Sequence, residues 1–193
     1  MNRFSLLCHP ATPGQAVRSV TVALGSLTPE TVTLRYELDA EMEAIVLPVA
    51  AAGHFQDGLW RHTCFELFVA NSEQNRQPTL AYSEFNFSPS CSWAAYDFSN
   101  YRAGKRPLDS DEGAGLAPRI SRRVSGLDVE LSTAILLRGS MTTLAMQKLA
   151  LTAVIEERSG TVSYWALKHC QDKPDFHDRE SFTATWPTME RTA

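Results

Sequence analysis

Glu66 is a single acid inside the apolar run Cys64-Phe-Glu-Leu-Phe-Val-Ala70. Glu84 has the same setting in Ala81-Tyr-Ser-Glu-Phe-Asn-Phe87. A carboxyl in such a run costs free energy unless a partner satisfies it. Paired acids have two chemical uses. They accept hydrogen bonds from a ligand, or they do acid–base work on a glycosidic bond when about 5–9 Å apart. Asn86 adds an amide that donates and accepts. Trp60, Trp93 and Trp165 offer flat rings, and Tyr82 a ring with a hydroxyl. Arg61 flanks Trp60 in a probable loop, with His54 and His62, where it could line a pocket mouth. Sugars present hydroxyls to acids and amides and C–H faces to rings. The set therefore points to a small-molecule site for a carbohydrate or a similar polar ligand. No catalytic residue is assigned, because nothing marks Cys64 or Cys170 as activated nucleophiles.

These side chains need strands to hold them. Val32, Leu34, Tyr36 and Leu38 alternate with Thr33, Arg35 and Glu37, and such a period of two marks a half-buried strand. The same pattern runs through 64–70, 81–87 and 127–135, with two further strands expected over 149–155 and 161–168. Turn signals such as Asp57-Gly58, Ser88-Pro89 and Ser159-Gly160 separate them. Many short strands between turns predict an all-β fold, an antiparallel β-sandwich. Residues 1–193 read as one domain, with a mobile loop over Tyr101–Pro118, one or two helical turns within Ser140–Leu151 and a tail at 188–193.

Register decides which residues meet. If Phe87 and Ser92 close a hairpin, Asn86 lies opposite Trp93 and Glu84 opposite Ala95. A similar closure from Ala70 to Leu80 sets Glu66 opposite Glu84. Glu66, Glu84, Asn86 and Trp93 then share one concave face, while Phe65, Leu67, Phe85, Phe87 and Tyr96 form core. The competing reading is an outer face whose acids meet only water. A slip of one residue would scatter the cluster.

Composition excludes several classes. The chain has 193 residues, 44% apolar and 21% charged, with a net charge of −4. It lacks the basic surplus of a nucleic-acid binder, and Arg119, Arg122 and Arg123 read as a solvated strand face. No run approaches the ~18 apolar residues of a membrane span. The start has no h-region of ~7–15 residues, so a cytoplasmic location is expected. The four cysteines are then free thiols. Segment 169–178 gathers His169, Cys170, His177 and three Asp. Calcium could use Asp172, Asp175 and Asp178. The favoured reading is a turn whose Asp residues cap backbone N–H groups and whose His177 bonds within the fold. No metal is assigned.

The run Asp57-Gly-Leu-Trp-Arg-His-Thr-Cys-Phe-Glu-Leu-Phe-Val69 resembles the signature strand of DOMON-like domains related to the type 9 carbohydrate-binding modules. Tyr82 to Pro89 with Trp93 is similar to their next strands. Tyr164-Trp-Ala-Leu167 and Pro174 to Phe182 look like their closing motif, in which Asp175, Phe176, His177 and Phe182 would be structural. The resemblance implies a jelly-roll-like sandwich that binds a ligand and does no chemistry. Some of its relatives hold sugars and others haem. The sequence is expected to depart from them in carrying neither an export signal nor an attached catalytic domain. Haem would need axial ligands such as Met and His. Met42, Met141 and Met146 and the five histidines show no spacing that singles out a pair. The expected function is a non-catalytic module without cofactor. The alternatives are a glycan-modifying enzyme using Glu66 and Glu84, a protein-interaction module using the sheet face or the 104–118 loop, and a haem binder.

Overall fold

Apolar side chains on alternate residues must be buried on one side of a sheet, and two such sheets facing each other do this best. The computed structural model describes residues 2–28, 31–50, 52–70, 81–108, 117–123, 126–133 and 148–186. Its strands are β1 (Asn2–Ser5), β2 (Leu7–Cys8), β3 (Val17–Thr28), β4 (Thr31–Ala40), β5 (Cys64–Ala70), β6 (Tyr82–Phe87) and β7 (Trp93–Phe98). They continue as β8 (Arg106–Pro107), β9 (Arg119–Arg123), β10 (Gly126–Thr133), β11 (Lys148–Glu156), β12 (Val162–Ala166) and β13 (Ala184–Thr185). Single 3₁₀ turns stand at Met42–Ala44, Leu59–Arg61 and Arg179–Ser181.

The chain is an antiparallel β-sandwich. One sheet runs β1-β3-β4-β10-β9. The other runs β2-β12-β11-β5-β6-β7-β8, with β13 on β11. Between them, Val20, Val22, Leu24, Leu34, Tyr36 and Leu38 meet Phe65, Leu67, Phe85, Phe87, Leu151 and Ile155. The Tyr36 hydroxyl crosses this core and donates to the Glu66 backbone carbonyl at 2.5 Å.

Several expectations need adjusting. β3 is not among the strands the alternation predicts; its ladder with β4 shifts register between Val17 and Ser19, and such an irregularity breaks the period of two. Of the expected mobile loop, Asn100 bridges Ala103 and β8 pairs with β7, while residues 109–116 lie outside the described residues. So do 134–147, where most of the expected helical turns fall; Lys148 to Leu151 are strand. The tail 188–193 is likewise outside them.

The β6–β7 hairpin differs by one residue from the expected register. The Ser88 N–H donates to the Ser92 carbonyl at 2.9 Å. Phe87 therefore pairs with Trp93, Asn86 with Ala94 and Glu84 with Tyr96. That single step exchanges the faces of Trp93 and Tyr96. Trp93 joins the core between the sheets, and Tyr96 joins the far face of the second sheet. Nor does Glu66 face Glu84. It pairs with Asn86, and Phe68 pairs with Glu84, so the two acids are diagonal neighbours on one face.

That face is not an open polar surface. Phe68, Tyr82, Tyr96, Phe98, Ala150 and Val154 make it a second apolar layer, roofed by Leu59, Phe176 and Phe182. Glu66 is 2% exposed and Glu84 4%.

A roofed cavity over two buried acids

The roof leaves a gap. A cavity of about 280 Å³ lies over the second sheet, lined by Glu66, Phe68, Glu84 and Val154 below. Trp60, Phe98, Tyr164 and Phe176 form its aromatic sides, with Arg102, Lys105, Pro174 and His177 completing the wall. Local sequence explains each placement. Gly58 adopts a left-handed φ of 81°, which a side chain would resist, and it turns the chain into Leu59–Arg61 so that Trp60 overhangs the sheet. Asp178 caps the 3₁₀ turn after the roof by accepting from the Glu180 N–H at 2.9 Å. Asp175 accepts from the His177 N–H at 3.0 Å and from Arg102 at 2.8 Å.

The acids are unequally satisfied. Glu84 Oε1 accepts from Asn86 Nδ2 at 2.7 Å. Glu66 Oε2 has only a long contact from the Thr152 hydroxyl, 3.4 Å. Glu66 Oε1 is buried without a partner. Such an oxygen carries the full desolvation cost of a polar group, about 1–3 kcal/mol. Burial raises the Glu66 carboxyl well above the usual range, and the Glu84 charge adds to this. Burial raises Glu84 too, against the Asn86 hydrogen bond and the Lys105 and Arg102 charges.

His177 is boxed by Phe68, Tyr82 and Phe98, with ring centroids 5.3–5.7 Å away. The Arg102 backbone N–H donates to the Tyr82 hydroxyl at 3.2 Å. The Tyr82 proton is then left for His177 Nδ1 at 2.7 Å. This network assigns the imidazole proton to Nε2, which lies 4.0 Å from Glu84 Oε2. Burial, with the Arg102 charge, depresses His177 to about 4, so it is neutral at physiological pH. At the rim, Lys105 Nζ sits 4.3 Å from the Trp60 ring centroid and 3.8 Å from that of Tyr96. It also donates to Asp57 at 3.3 Å.

No protein-family model matches this sequence, and no curated protein resembles it. Its fold has a solved counterpart. A crystal structure of a candidate carbohydrate-binding protein from Bacteroides uniformis ATCC 8492 superposes with a TM-score of 0.66. The two share 11% identity over 95% of this chain and 84% of that one. At that identity the likeness is one of fold.

Of the candidates read from sequence, Trp60, Glu66 and Glu84 line the cavity. Asn86 and Tyr82 lie beneath it, fully buried, and hold Glu84 and His177 in place. Trp93 and Trp165 are instead part of the core between the sheets, the first through the register step. Trp165 donates its indole N–H to Ser163 at 3.0 Å. Arg61 is exposed, its guanidinium 6.0 Å from the Trp60 ring centroid. In the closing motif, Phe176 and His177 line the cavity while Phe182, also in the roof, packs against Phe68 and Tyr82. Sequence reasoning misses Phe68, although it alternates in phase with Glu66. It also misses Phe98, Arg102 and Lys105. The two cations sit in a turn region where no periodicity operates.

Proposed function

We propose that this chain is a non-catalytic binding module for a carbohydrate or a similar small polar ligand, akin to DOMON-like and type 9 carbohydrate-binding domains. The ligand enters the cavity between Trp60 and the roof segment. The observation that carries this reading is a cavity floor of two buried carboxyls, Glu66 and Glu84, inside aromatic walls. Buried polar atoms have partners in almost all folds, and among the described residues Glu66 Oε1 has none, which suits a floor that takes polar groups from a ligand. At about 280 Å³ the space is at the small end of the ~300–1,000 Å³ typical of ligand pockets, suited to one sugar ring. Trp60 and Phe98 offer faces for its C–H groups, and Glu66 and Glu84 take its hydroxyls. The candidate sugar-binding role of the fold neighbour is consistent with this.

The alternatives fare less well. Glycoside hydrolysis takes two carboxyls flanking the bond, whereas Glu66 and Glu84 rise from one floor on adjacent strands. Haem is larger than the cavity, among the described residues no Met lines it, and the Nδ1 of His177 is engaged by Tyr82. For calcium, Asp175 and Asp178 are already engaged with backbone N–H groups. Among the described residues no cluster of His, Cys, Asp or Glu suits a metal.

The test is titration of a panel of neutral, amino and acidic monosaccharides and their disaccharides, followed by tryptophan emission and by melting temperature. Binding should shift both in the wild type, and Trp60→Phe should lose the emission change. If no sugar at millimolar concentration moves either signal, the reading falls.

A further inference from the structure

Three features of the cavity concern charge. The floor carries two carboxyls, and among the described residues no cationic side chain bonds to Glu66. The side chain nearest to a counter-ion, His177, approaches only Glu84, at 4.0 Å, and is a neutral imidazole there. The rim cations are already engaged, Arg102 with Asp175 at 2.8 Å and Lys105 with Asp57 at 3.3 Å. Arg102 and Lys105 thus each have a carboxylate of their own, and among the described residues neither floor acid is ion-paired with a lysine or arginine. The walls are rings, whose π faces attract cations. The rim already displays this preference, since the Lys105 ammonium lies over Trp60 and Tyr96.

We infer that the ligand carries an ammonium group, as an amino sugar or amino polyol does, and that this group seats on the cavity floor at the Glu66 and Glu84 carboxyls with aromatic rings around it. The inference rests on the ligand-binding reading of the same cavity and narrows its ligand class. An acidic sugar is disfavoured by the same geometry, because its carboxylate would meet the floor acids and find the rim cations paired.

Burial raises the Glu66 carboxyl well above the usual carboxylate range, toward its protonated form. Seating an ammonium therefore requires the carboxyl to release its proton: the carboxylic acid and the ammonium give a carboxylate–ammonium pair plus one proton in solvent. Charge balances on both sides. The other titratable groups lining the cavity are Glu84 on β6, His177 and Tyr164, with Arg102 and Lys105 at the rim, and His177, depressed to about 4, is neutral near pH 7.

Calorimetry at pH 7 with D-glucosamine, N-acetyl-D-glucosamine, D-glucose, D-glucuronate and ethanolamine tests this. D-glucosamine should bind at least tenfold tighter than D-glucose and N-acetyl-D-glucosamine. Its heat should change with the ionisation enthalpy of the buffer in the amount of up to one released proton. Glu66→Gln should erase both the preference and the proton release, and Glu84→Gln should weaken the preference if the first variant does not fold. Equal binding of D-glucose and D-glucosamine, or tighter binding of D-glucuronate, overturns the inference while leaving a sugar site. Binding of ethanolamine without any sugar supports the ammonium seat and removes the carbohydrate reading. Absence of binding by every probe removes both.

Discussion

Replacing Glu66 by Gln should flatten the dependence of stability on pH. In the unfolded chain a glutamate titrates near 4.5, and in the fold burial carries Glu66 well above that value. Between the two values the folded protein holds a proton that the unfolded chain has lost, so stability falls as pH rises. The slope is at most about 1.4 kcal/mol per pH unit for one carboxyl, and it vanishes above the folded value and below the unfolded one. At 193 residues, 1 kcal/mol moves the melting temperature by about 2–4 °C. One carboxyl thus contributes up to about 3–6 °C per pH unit. His177 acts in the opposite sense. Depressed from 6.5 to about 4, it contributes stability that is full above 6.5 and lost as pH falls through the folded value. Wild type and Glu66→Gln both carry His177, so its contribution cancels in the difference between them. Thermal unfolding of wild type and Glu66→Gln, at half-unit steps from pH 5 to 8 and constant ionic strength, gives the comparison. The advantage of the variant should grow with pH. Parallel curves across that range would show that Glu66 titrates alike in folded and unfolded chains, and the account of a proton-bearing floor acid would be wrong.

Other perturbations separate the remaining roles. His177→Gln should remove a destabilising contribution of about 3 kcal/mol that builds up between pH 6.5 and 4, taken from the depression of His177 to about 4, and the difference between variant and wild type in urea unfolding at the two pH values would show it. Trp93→Ala should cost about 3–5 kcal/mol as a core truncation, whereas Trp60→Ala should cost far less and lose ligand; equal melting losses would contradict their placement. Glu157 Oε1 accepts from the Gln15 and Ala16 N–H groups at 2.8 and 3.0 Å. Glu157→Ala should therefore cost about 2–3 kcal/mol, read in urea unfolding, with cavity binding unchanged.

The sandwich was legible because alternation along β4, β5, β6 and β11 reports burial directly. The acids were legible too, since Glu66 and Glu84 stand out in apolar runs and their phase puts them on one face whatever the loop does. The position of Trp93 was not. It depends on whether Phe87 or Ser88 closes the hairpin, and a turn containing Pro89 and a Cys91 at φ 73° does not declare its length in the sequence. The roof was hidden for another reason. A face already bearing Phe68, Tyr82 and Phe98 reads as core or as platform equally well, and only the path of residues 169–183 decides. Arg102 and Lys105 reach the cavity from a turn, where spacing carries no directional information.

The roof joins distant parts of the chain. Trp60 and His177 line the same cavity although 177 − 60 = 117 residues separate them, and bringing such segments together costs loop-closure entropy. The contacts of Phe176 and Phe182 with the second sheet cover the face that carries Glu66 and Glu84 and close the cavity at the same time. A ligand seated there bridges the two segments, so its binding free energy adds to the stability of the roof by mass action.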